Sequence, residues 1–518
     1  MGRKTFIQLI KLNLPFLAVL ALLTFAVYIK SIDNNFVSAD DFAGYIDNPD
    51  IKTLDKAIKT ANFDMGFVAT MYQLFKLNPA PLHISSLVFH ALVAFLIFIE
   101  GLLLFNKRIG TLGAVLFTIH PVNSEPVLWI SGHPYLFNAL FFFSSLIFFT
   151  LYLKSKDKVY LILSVAIYAF ACAFVRNFWI LNLLPVMLLI NFTITKSLTI
   201  KQFVRAFAPF FIVTAIFVGV YVINAFQTRT AAYRFYYNLD PAQTAPLLNR
   251  APVTLFRTFE FLVYPVGLNI YHEEILSQLF YISMIIFAIL FIPLLIFVFK
   301  KDKIAGGLVA CIFVTTFLAY NPLQLAWIFA DRYLYLSSAF FCYLLVYLLI
   351  KLEKRFNSPN LVTNSMIIIC ILFAIRTFVR SFDWEDSRSL WLATQKLVPN
   401  SYRVYNNLGD VYSRDGNFPK AIESFEIAAK IYPGYAEAVH NIGNTYLQMG
   451  DLDTAEKYFL EAIKIRPNLF QSYYFVGLVE YQKKNYTKAL EYFQKSAEID
   501  PTYIPAQQAL QTMQAQSN

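Results

Sequence analysis

Long apolar runs separated by short polar segments fill the chain as far as residue 379, and a shorter, regular period replaces them beyond that point. A helix needs about 20 apolar residues to cross the hydrocarbon core of a bilayer, which is about 30 Å thick. The pattern therefore predicts an all-α, multi-pass membrane domain over residues 1–379. Its spans, about eleven by this measure, fall at residues 12–30, 83–105, 109–121, 135–153, 159–175, 178–195, 203–226, 276–299, 304–320, 333–350 and 361–379.

The period beyond residue 379 is marked by four prolines 34 residues apart, and the last three are each preceded by a glycine and then a phenylalanine. This spacing is typical of tetratricopeptide repeats. We expect a tetratricopeptide α-solenoid over residues 380–518, with repeats at about 402–435, 436–469 and 470–503. The prolines are Pro399, Pro433, Pro467 and Pro501, and the glycine–phenylalanine pairs are Gly409 with Phe425, Gly443 with Phe459, and Gly477 with Phe493.

Concave faces of tetratricopeptide arrays usually bind peptides. The repeats therefore predict a docking groove for a protein or peptide acceptor or another partner. The alternative is a rigid cap with no specific ligand.

Composition agrees with a membrane protein, since 58% of the residues are hydrophobic and 15% are charged. The net charge of +10 does not indicate a nucleic-acid partner, because the basic residues form short clusters between apolar runs. By the positive-inside rule these clusters and the N-terminus face the cytoplasm. Everything after Val379 then lies on the extracytoplasmic side, at the plasma membrane of a prokaryote or the endoplasmic reticulum of a eukaryote. The clusters are at 107–108, 154–158, 196–201, 300–303 and 351–355.

Two adjacent carboxylates, Asp40 and Asp41, follow the first apolar run. A carboxylate partly removed from water at a membrane surface can act as a general base toward a hydroxyl group. The alternative is structural, because acidic residues also cap helices.

Several other chemistries lack their motifs. The chain has no Walker motif, dinucleotide fingerprint, His-Glu-x-x-His or Cys-pair zinc pattern, and its four cysteines lie within apolar runs. We therefore expect neither a metal nor a cofactor.

Five stretches of the chain form a recognisable set: Phe36 to Asp41 with Asn48-Pro49, Pro81 to Leu92, His120 to Val127, Tyr264 to Tyr271 and Asp331 to Leu336. Together they resemble the transmembrane, tetratricopeptide-containing protein O-mannosyltransferases and their bacterial relatives, in the GT-C superfamily. The resemblance covers nearly the whole chain. It differs from the usual pattern at Gly132-His133-Pro134-Tyr135 and at Arg176-Asn177, which leaves the donor sugar open.

The resemblance implies an inverting transfer of a sugar, with mannose among the candidates, from a polyprenyl-phosphate carrier to an acceptor hydroxyl on the extracytoplasmic side, without a metal. It gives the role of base to the first acid, Asp40, with Asp41 beside it. The lipid-linked sugar is a substrate and not a cofactor.

A basic group is needed at the carrier phosphate to stabilise the leaving group. The candidates are Arg332, Arg176 and His133. For Arg332 the alternative is an interfacial anchor paired with Asp331. Residues that could orient the substrate are His120, Glu125 and His83, although helix packing alone could account for the histidines.

Two other classes of protein remain open. One is a lipid-linked glycan polymerase or ligase, which would carry its key residues in a late, large loop. The other is a non-enzymatic membrane scaffold or transporter whose repeats recruit partners. Transporters tend to carry ionisable residues at the middle of the membrane and inverted repeats, and neither is clear in this sequence.

Overall fold

A computed structural model of the protein describes residues 3–38, 40–59, 62–225, 247–270, 272, 278–317 and 329–517. Over these residues the regular structure is helical throughout, and no strand occurs in them. The predicted all-α class is therefore confirmed. The end of the Tyr264 stretch, Tyr271, lies outside the described residues, as does much of the polar segment before it.

The membrane part is built of long helices joined by short connections. Local capping fixes where several begin: the Asn106 side chain accepts from the backbone N–H of Ile109, and Thr199 with Gln202 forms a capping box. The α-helices are Arg3–Tyr28, Leu54–Lys59, Phe63–Phe75, Ala80–Leu104, Lys107–Ile119, Ser124–Leu128, His133–Ser155, Lys158–Phe170, Leu183–Leu189, Ile200–Phe217, Leu247–Val263, Gln278–Lys301, Lys303–Thr316, Tyr335–Arg355 and Leu361–Asp383.

Nine of the predicted spans are helical segments long and apolar enough to cross a membrane, counted over the described residues. The two other predicted spans contain the helices Lys107–Ile119 and Lys303–Thr316, of 13 and 14 residues. At 1.5 Å per residue these two are about 20 Å long. The nine segments are Lys4–Asp33, Ala80–Leu104, Ile130–Ser155, Lys158–Val175, Phe178–Thr195, Ile200–Ala225, Gln278–Lys301, Asp331–Arg355 and Leu361–Asp383.

The spans divide into inner and outer helices. Within the apolar window of Ile130–Ser155, 72% of the residues are buried, against 11% for Gln278–Lys301. Inner helices approach closely where glycines meet: a side chain at Gly101 would lie 2.7 Å from the Cα of Gly110. Polar side chains near the inner helices are therefore positioned by a tightly packed core.

The C-terminal part consists of helical pairs. The first helices of successive pairs begin at residues 402, 436 and 470, and a last helix begins at 504, so the 34-residue period of the sequence is the period of the structure. The helices are Tyr402–Arg414 with Phe418–Ile431, Ala436–Gln448 with Leu452–Ile465, Phe470–Gln482 with Tyr486–Ile499, and Ile504–Ser517.

Each pair closes where a glycine meets an aromatic ring. A Cβ atom at Gly443 would lie 2.9 Å from the ring of Phe459, and Gly409 and Gly477 face their phenylalanines in the same way. The turn between the paired helices needs a left-handed residue, at Gly416 and Gly450 with φ of 73° and 82°. Lys484 takes this position in the third pair, with φ of 64°.

The described chain forms two compact units. The first extends to Leu390 and the second begins at Trp391, within the helix Ser387–Leu397. Residues 380–390 thus pack with the membrane part.

Candidate active site

Asp41 is buried and anchors the loop that follows the first span. One carboxylate oxygen accepts hydrogen bonds from the backbone N–H of Ser131 at 2.9 Å and from its hydroxyl at 2.5 Å. The other accepts from the backbone N–H of Val37 at 3.0 Å. The carboxylate makes no cap to the helical turn that follows it, so the capping interpretation is wrong for Asp41.

Burial raises the pKa of Asp41 to about 6. The hydrogen bonds from Ser131 and Val37 oppose this shift, because they stabilise the ionised form. The nearby charge of Asp40 adds to it. The hydrogen bonds of Asp41 thus tie its loop to Ser131.

Asp40, by contrast, is exposed. The protein around it displaces water and raises its pKa, and the positive charge of Arg332 opposes that shift. The backbone carbonyl of Asp40 accepts from the N–H of Gly44 at 2.8 Å, which fixes the turn. The loop thus presents one accessible carboxylate within electrostatic reach of the buried guanidinium group of Arg332.

Arg332 is buried and paired with Glu125. Its side chain donates to one oxygen of Glu125 in a very short contact, and its backbone N–H donates to the other at 2.8 Å. Its Nε donates to the hydroxyl of Tyr135 at 3.2 Å, and its guanidinium lies 5.3 Å from the ring of Trp129. Burial raises the pKa of Glu125, and the positive charge of Arg332 opposes this increase.

The alternative pairing of Arg332 with Asp331 is wrong. Asp331, its neighbour in sequence, pairs instead with His272, whose Nε2 lies 2.7 Å from a carboxylate oxygen. Since the backbone turns at Asp331–Leu334, the adjacent side chains point to different partners. Glu125 orients Arg332 through direct hydrogen bonds.

Near Arg332, three buried N–H donors have no hydrogen-bond acceptor within the described part of the chain. They are the indole nitrogens of Trp129 and Trp384 and the Nη2 of Arg380. The two indole rings lie 6.4 Å apart, and the guanidinium of Arg380 lies 5.9 Å from the ring of Trp384. Buried donors are normally paired, so these three mark a place where an acceptor would be favourable.

Two of the candidate histidines are held by packing and hydrogen bonds. His133 is buried with its Nδ1 2.6 Å from the carbonyl of Ile130 and its Nε2 2.9 Å from the hydroxyl of Ser85. His120 is buried with its Nε2 3.0 Å from the carbonyl of Leu262. The ring nitrogens of both thus have partners within the protein.

The remaining candidates differ. His83 is buried, and neither ring nitrogen has a hydrogen-bond partner among residues the structure describes. Arg176 is half-buried in a left-handed turn, with φ of 56°, and lies 4.6 Å from the ring of Tyr221. Its Nε donates to the carbonyl of Ala173 at 2.9 Å.

The residues that complete the site were not found from the sequence. Ser131, Tyr135, Trp129, His272 and Arg380 contact or adjoin the charged pairs. Ser131 directly precedes the stretch that departs from the family pattern, and Tyr135 is its last residue, so this departure was the available signal. No group of three or more possible metal-ligating side chains occurs within the ranges described.

The tetratricopeptide repeat family matches residues 400–468 and, in an overlapping match, residues 440–504. Together with the apolar helices, this defines the class: a multi-pass, all-helical membrane protein with C-terminal tetratricopeptide repeats.

Within that class, the chain is similar to named protein O-mannosyl-transferases. It is 23% identical to protein O-mannosyl-transferase TMTC3 of Mus musculus, over 70% of this chain and 43% of that protein. A protein O-mannosyl-transferase of Caenorhabditis elegans is 23% identical over 81% of this chain and 63% of its own length. The expected resemblance is confirmed, and the chain spans less than two thirds of either relative.

Two solved structures match part of the chain. MamA is 24% identical and covers 28% of this chain, with a TM-score of 0.24. YrrB, described as a TPR protein with an unusual peptide-binding site, is 18% identical and covers 32% of this chain, with a TM-score of 0.23.

Proposed function

We propose that the protein is a membrane glycosyltransferase that moves a sugar, with mannose the first candidate, from a polyprenyl-phosphate carrier to a hydroxyl group of a protein. The observation that carries the proposal is the exposed carboxylate of Asp40, which the positive charge of buried Arg332 influences, on a loop held by Asp41. The similarity to named protein O-mannosyl-transferases supports the same activity.

Asp40 is the general base of this reaction. Its carboxylate accepts the proton of the acceptor hydroxyl while the hydroxyl oxygen forms a bond to the anomeric carbon of the sugar. The bond between that carbon and the phosphate oxygen breaks, and the phosphate departs with the electron pair. Attack opposite the leaving group inverts the anomeric configuration. A raised pKa makes Asp40 a stronger base than an ordinary carboxylate.

The departing phosphate gains negative charge, which needs nearby donors and cations. Arg332 supplies a buried cation, although Glu125 offsets part of its charge. Arg380 and the two indole N–H groups without acceptors supply further donors beside Arg332. We assign the carrier phosphate to this group of residues, with half-buried Arg176 as a second contact.

The tetratricopeptide groove docks the protein acceptor in this proposal. A cleft of about 200 Å³ lies between the first and second pairs and is lined by polar side chains, among them Asp410, Asn441 and Gln448. Amide side chains suit an extended peptide, because they donate to and accept from its backbone.

Acceptor docking requires the repeats and Asp40 to share the extracytoplasmic side, as the basic clusters predict. A cysteine in place of exposed Lys457 should react with an impermeant thiol reagent in intact cells. A cysteine in place of exposed Lys158 should react only after lysis. The reverse pattern would exclude this topology. Asn518 is also predicted to lie on the extracytoplasmic side, but it is outside the described residues.

The activity itself is tested with purified protein in lipid vesicles and a panel of polyprenyl-phosphate sugars. We expect loss of sugar from one donor and its appearance on a hydroxyl-bearing peptide. Asp40→Asn should abolish most of this transfer, whereas Asp47→Asn, in the same loop and exposed, should not. Equal activity in both variants, or no turnover of any donor, would favour the scaffold interpretation.

A further inference from the structure

Besides the cleft in the repeats, a cavity lies in the membrane part. It is on the outer surface, between the helices Lys107–Ile119 and Leu361–Asp383. Its volume is about 650 Å³, within the range of about 300–1,000 Å³ usual for ligand sites. Its walls are mainly apolar and include Val115 and Met366. Both helices belong to the first compact unit.

The cavity has the depth of one membrane leaflet. Its lining runs from Lys107 to Val115 on one helix and from Val362 to Cys370 on the other. Eight residue steps of helix rise about 12 Å, close to half of the hydrocarbon thickness of about 30 Å. The groove can therefore hold an extended hydrocarbon chain that enters from one membrane surface.

One end of the groove is basic. Arg108 is already paired with Glu353, through contacts of 2.6 and 3.0 Å. Lys107 beside it is exposed, and no acidic side chain of the described chain lies within ion-pair distance of it. The end of the groove thus carries an unbalanced positive charge.

We propose that this groove binds an anionic phospholipid, with an acyl chain along Val115 and Met366 and the phosphate at Lys107. The basic clusters predict that Lys107 faces the cytoplasm, where the leaflet is rich in anionic lipids. The apolar walls favour a lipid over a free phosphate ion. The proposal is independent of the sugar-transfer reaction, which uses residues of the opposite face.

The charge is tested by native mass spectrometry of the full chain in detergent, with equal amounts of dioleoyl phosphatidylglycerol and dioleoyl phosphatidylcholine. We expect the protein to retain phosphatidylglycerol preferentially. Lys107→Gln should weaken that binding about fivefold, the effect of one lysine at a lipid surface. The control is Lys158→Gln, since Lys158 also is exposed, begins a helix and lies outside the groove. Equal retention of the two lipids by the parent, or equal effects of the two substitutions, would overturn the proposal.

The groove is tested by filling it. Cys370→Trp should reduce the retention of both lipids, and Ile368→Trp, at a position 59% exposed and outside the lining, should not. Thr363→Phe provides a second filling variant if Cys370→Trp lowers the melting temperature. If the filling variants change the mass of the particle in light scattering and leave lipid retention intact, the groove is a contact between two copies of the chain and the lipid proposal is wrong.

Discussion

At the scale of single residues, Asp40 and Asp41 are adjacent in sequence but chemically distinct. Asp41 accepts three hydrogen bonds and is buried, whereas Asp40 is exposed and within electrostatic reach of Arg332. Asp41 therefore positions the loop, and Asp40 is available to a substrate. Substitution by asparagine, which keeps the shape of aspartate, separates the two roles.

We expect Asp40→Asn to lower sugar transfer by about a hundredfold to ten-thousandfold, because the general base is lost. Its melting temperature should stay near that of the parent. Asp41→Asn should lose about 1–3 kcal/mol of stability, since its amide NH₂ cannot accept one of the hydrogen bonds. Steady-state kinetics and thermal unfolding measure the two effects, with Asp47→Asn as the neutral control. An active Asp40→Asn protein would contradict the assignment of the base.

The pH dependence of transfer also depends on Asp40. Only its carboxylate form accepts a proton, so the rate should fall as the pH is lowered through its pKa, which the surrounding protein raises. The residual activity of Asp40→Asn should lack this acid limb. The measurement is kcat/KM for a small acceptor from about pH 4 to about pH 8. If the parent and Asp40→Asn showed the same fall in rate at low pH, that fall would belong to another titrating group.

Ser131 should stabilise the ionised form of Asp41. In the folded protein the pKa of Asp41 is raised to about 6, so this carboxylate favours folding less as the pH rises between its ordinary value and about 6. Ser131→Ala removes a donor to the carboxylate, and its deficit in melting temperature should be larger at pH 7 than at pH 4. Thr70→Ala, whose hydroxyl donates to the carbonyl of Gly66, should show a deficit independent of pH.

At the scale of elements, the tetratricopeptide pairs depend on two backbone positions. One is the glycine under the phenylalanine ring, where any side chain overlaps the partner helix. The other is the left-handed turn, which costs an ordinary residue about 1–2 kcal/mol. The third pair meets the first requirement and breaks the second at Lys484.

We therefore expect opposite effects from two small substitutions. Gly443→Ala should destabilise the repeats by about 1–3 kcal/mol, because the new Cβ atom would lie 2.9 Å from Phe459. Lys484→Gly should stabilise them by about 0.5–1 kcal/mol, the relief of the left-handed strain less the added chain entropy. Thermal unfolding followed by circular dichroism measures both. A stabilising Gly443→Ala would show that the helices can separate without cost.

At the scale of the whole molecule, the segment after the last span supports the loop of Asp40. The backbone N–H of Asn35 donates to the carbonyl of Glu385 at 2.8 Å, and that of Ser38 donates to the hydroxyl of Ser387 at 2.8 Å. The functional boundary between the two units should therefore follow these contacts.

A chain ended after Leu390 should keep transfer to a small acceptor, because the supports of the loop remain. A chain ended after Val379 should lose it, since Glu385 and Ser387 are removed. In the chain that ends after Leu390, the KM for a protein acceptor should rise, because the docking groove is absent. Rates with a short hydroxyl-bearing peptide and with a folded acceptor distinguish these outcomes. Loss of all turnover in the chain that ends after Leu390 would show that the repeats are part of the catalytic fold.

The sequence determined what depends on neighbours along the chain. Apolar runs are long enough to satisfy the backbone within a membrane helix, and the 34-residue spacing sets how each helical pair stacks on the next. The membrane helices, the repeats and the prominence of Asp40 all follow from such local patterns. Hence the fold class and the resemblance could be predicted, although two of the predicted spans contain helices of only 13 and 14 residues.

Tertiary structure alone decided how the site is assembled. Asp41 meets Ser131 across 90 residues, and Arg332 meets Glu125 across 207. No local pattern encodes these pairs, because the packing of the inner helices selects which polar side chains face each other. The same packing gives the ring nitrogens of His133 and His120 partners within the protein. A periodic sequence fixes helices, but only their three-dimensional arrangement fixes which charges are buried together and which carboxylate stays open.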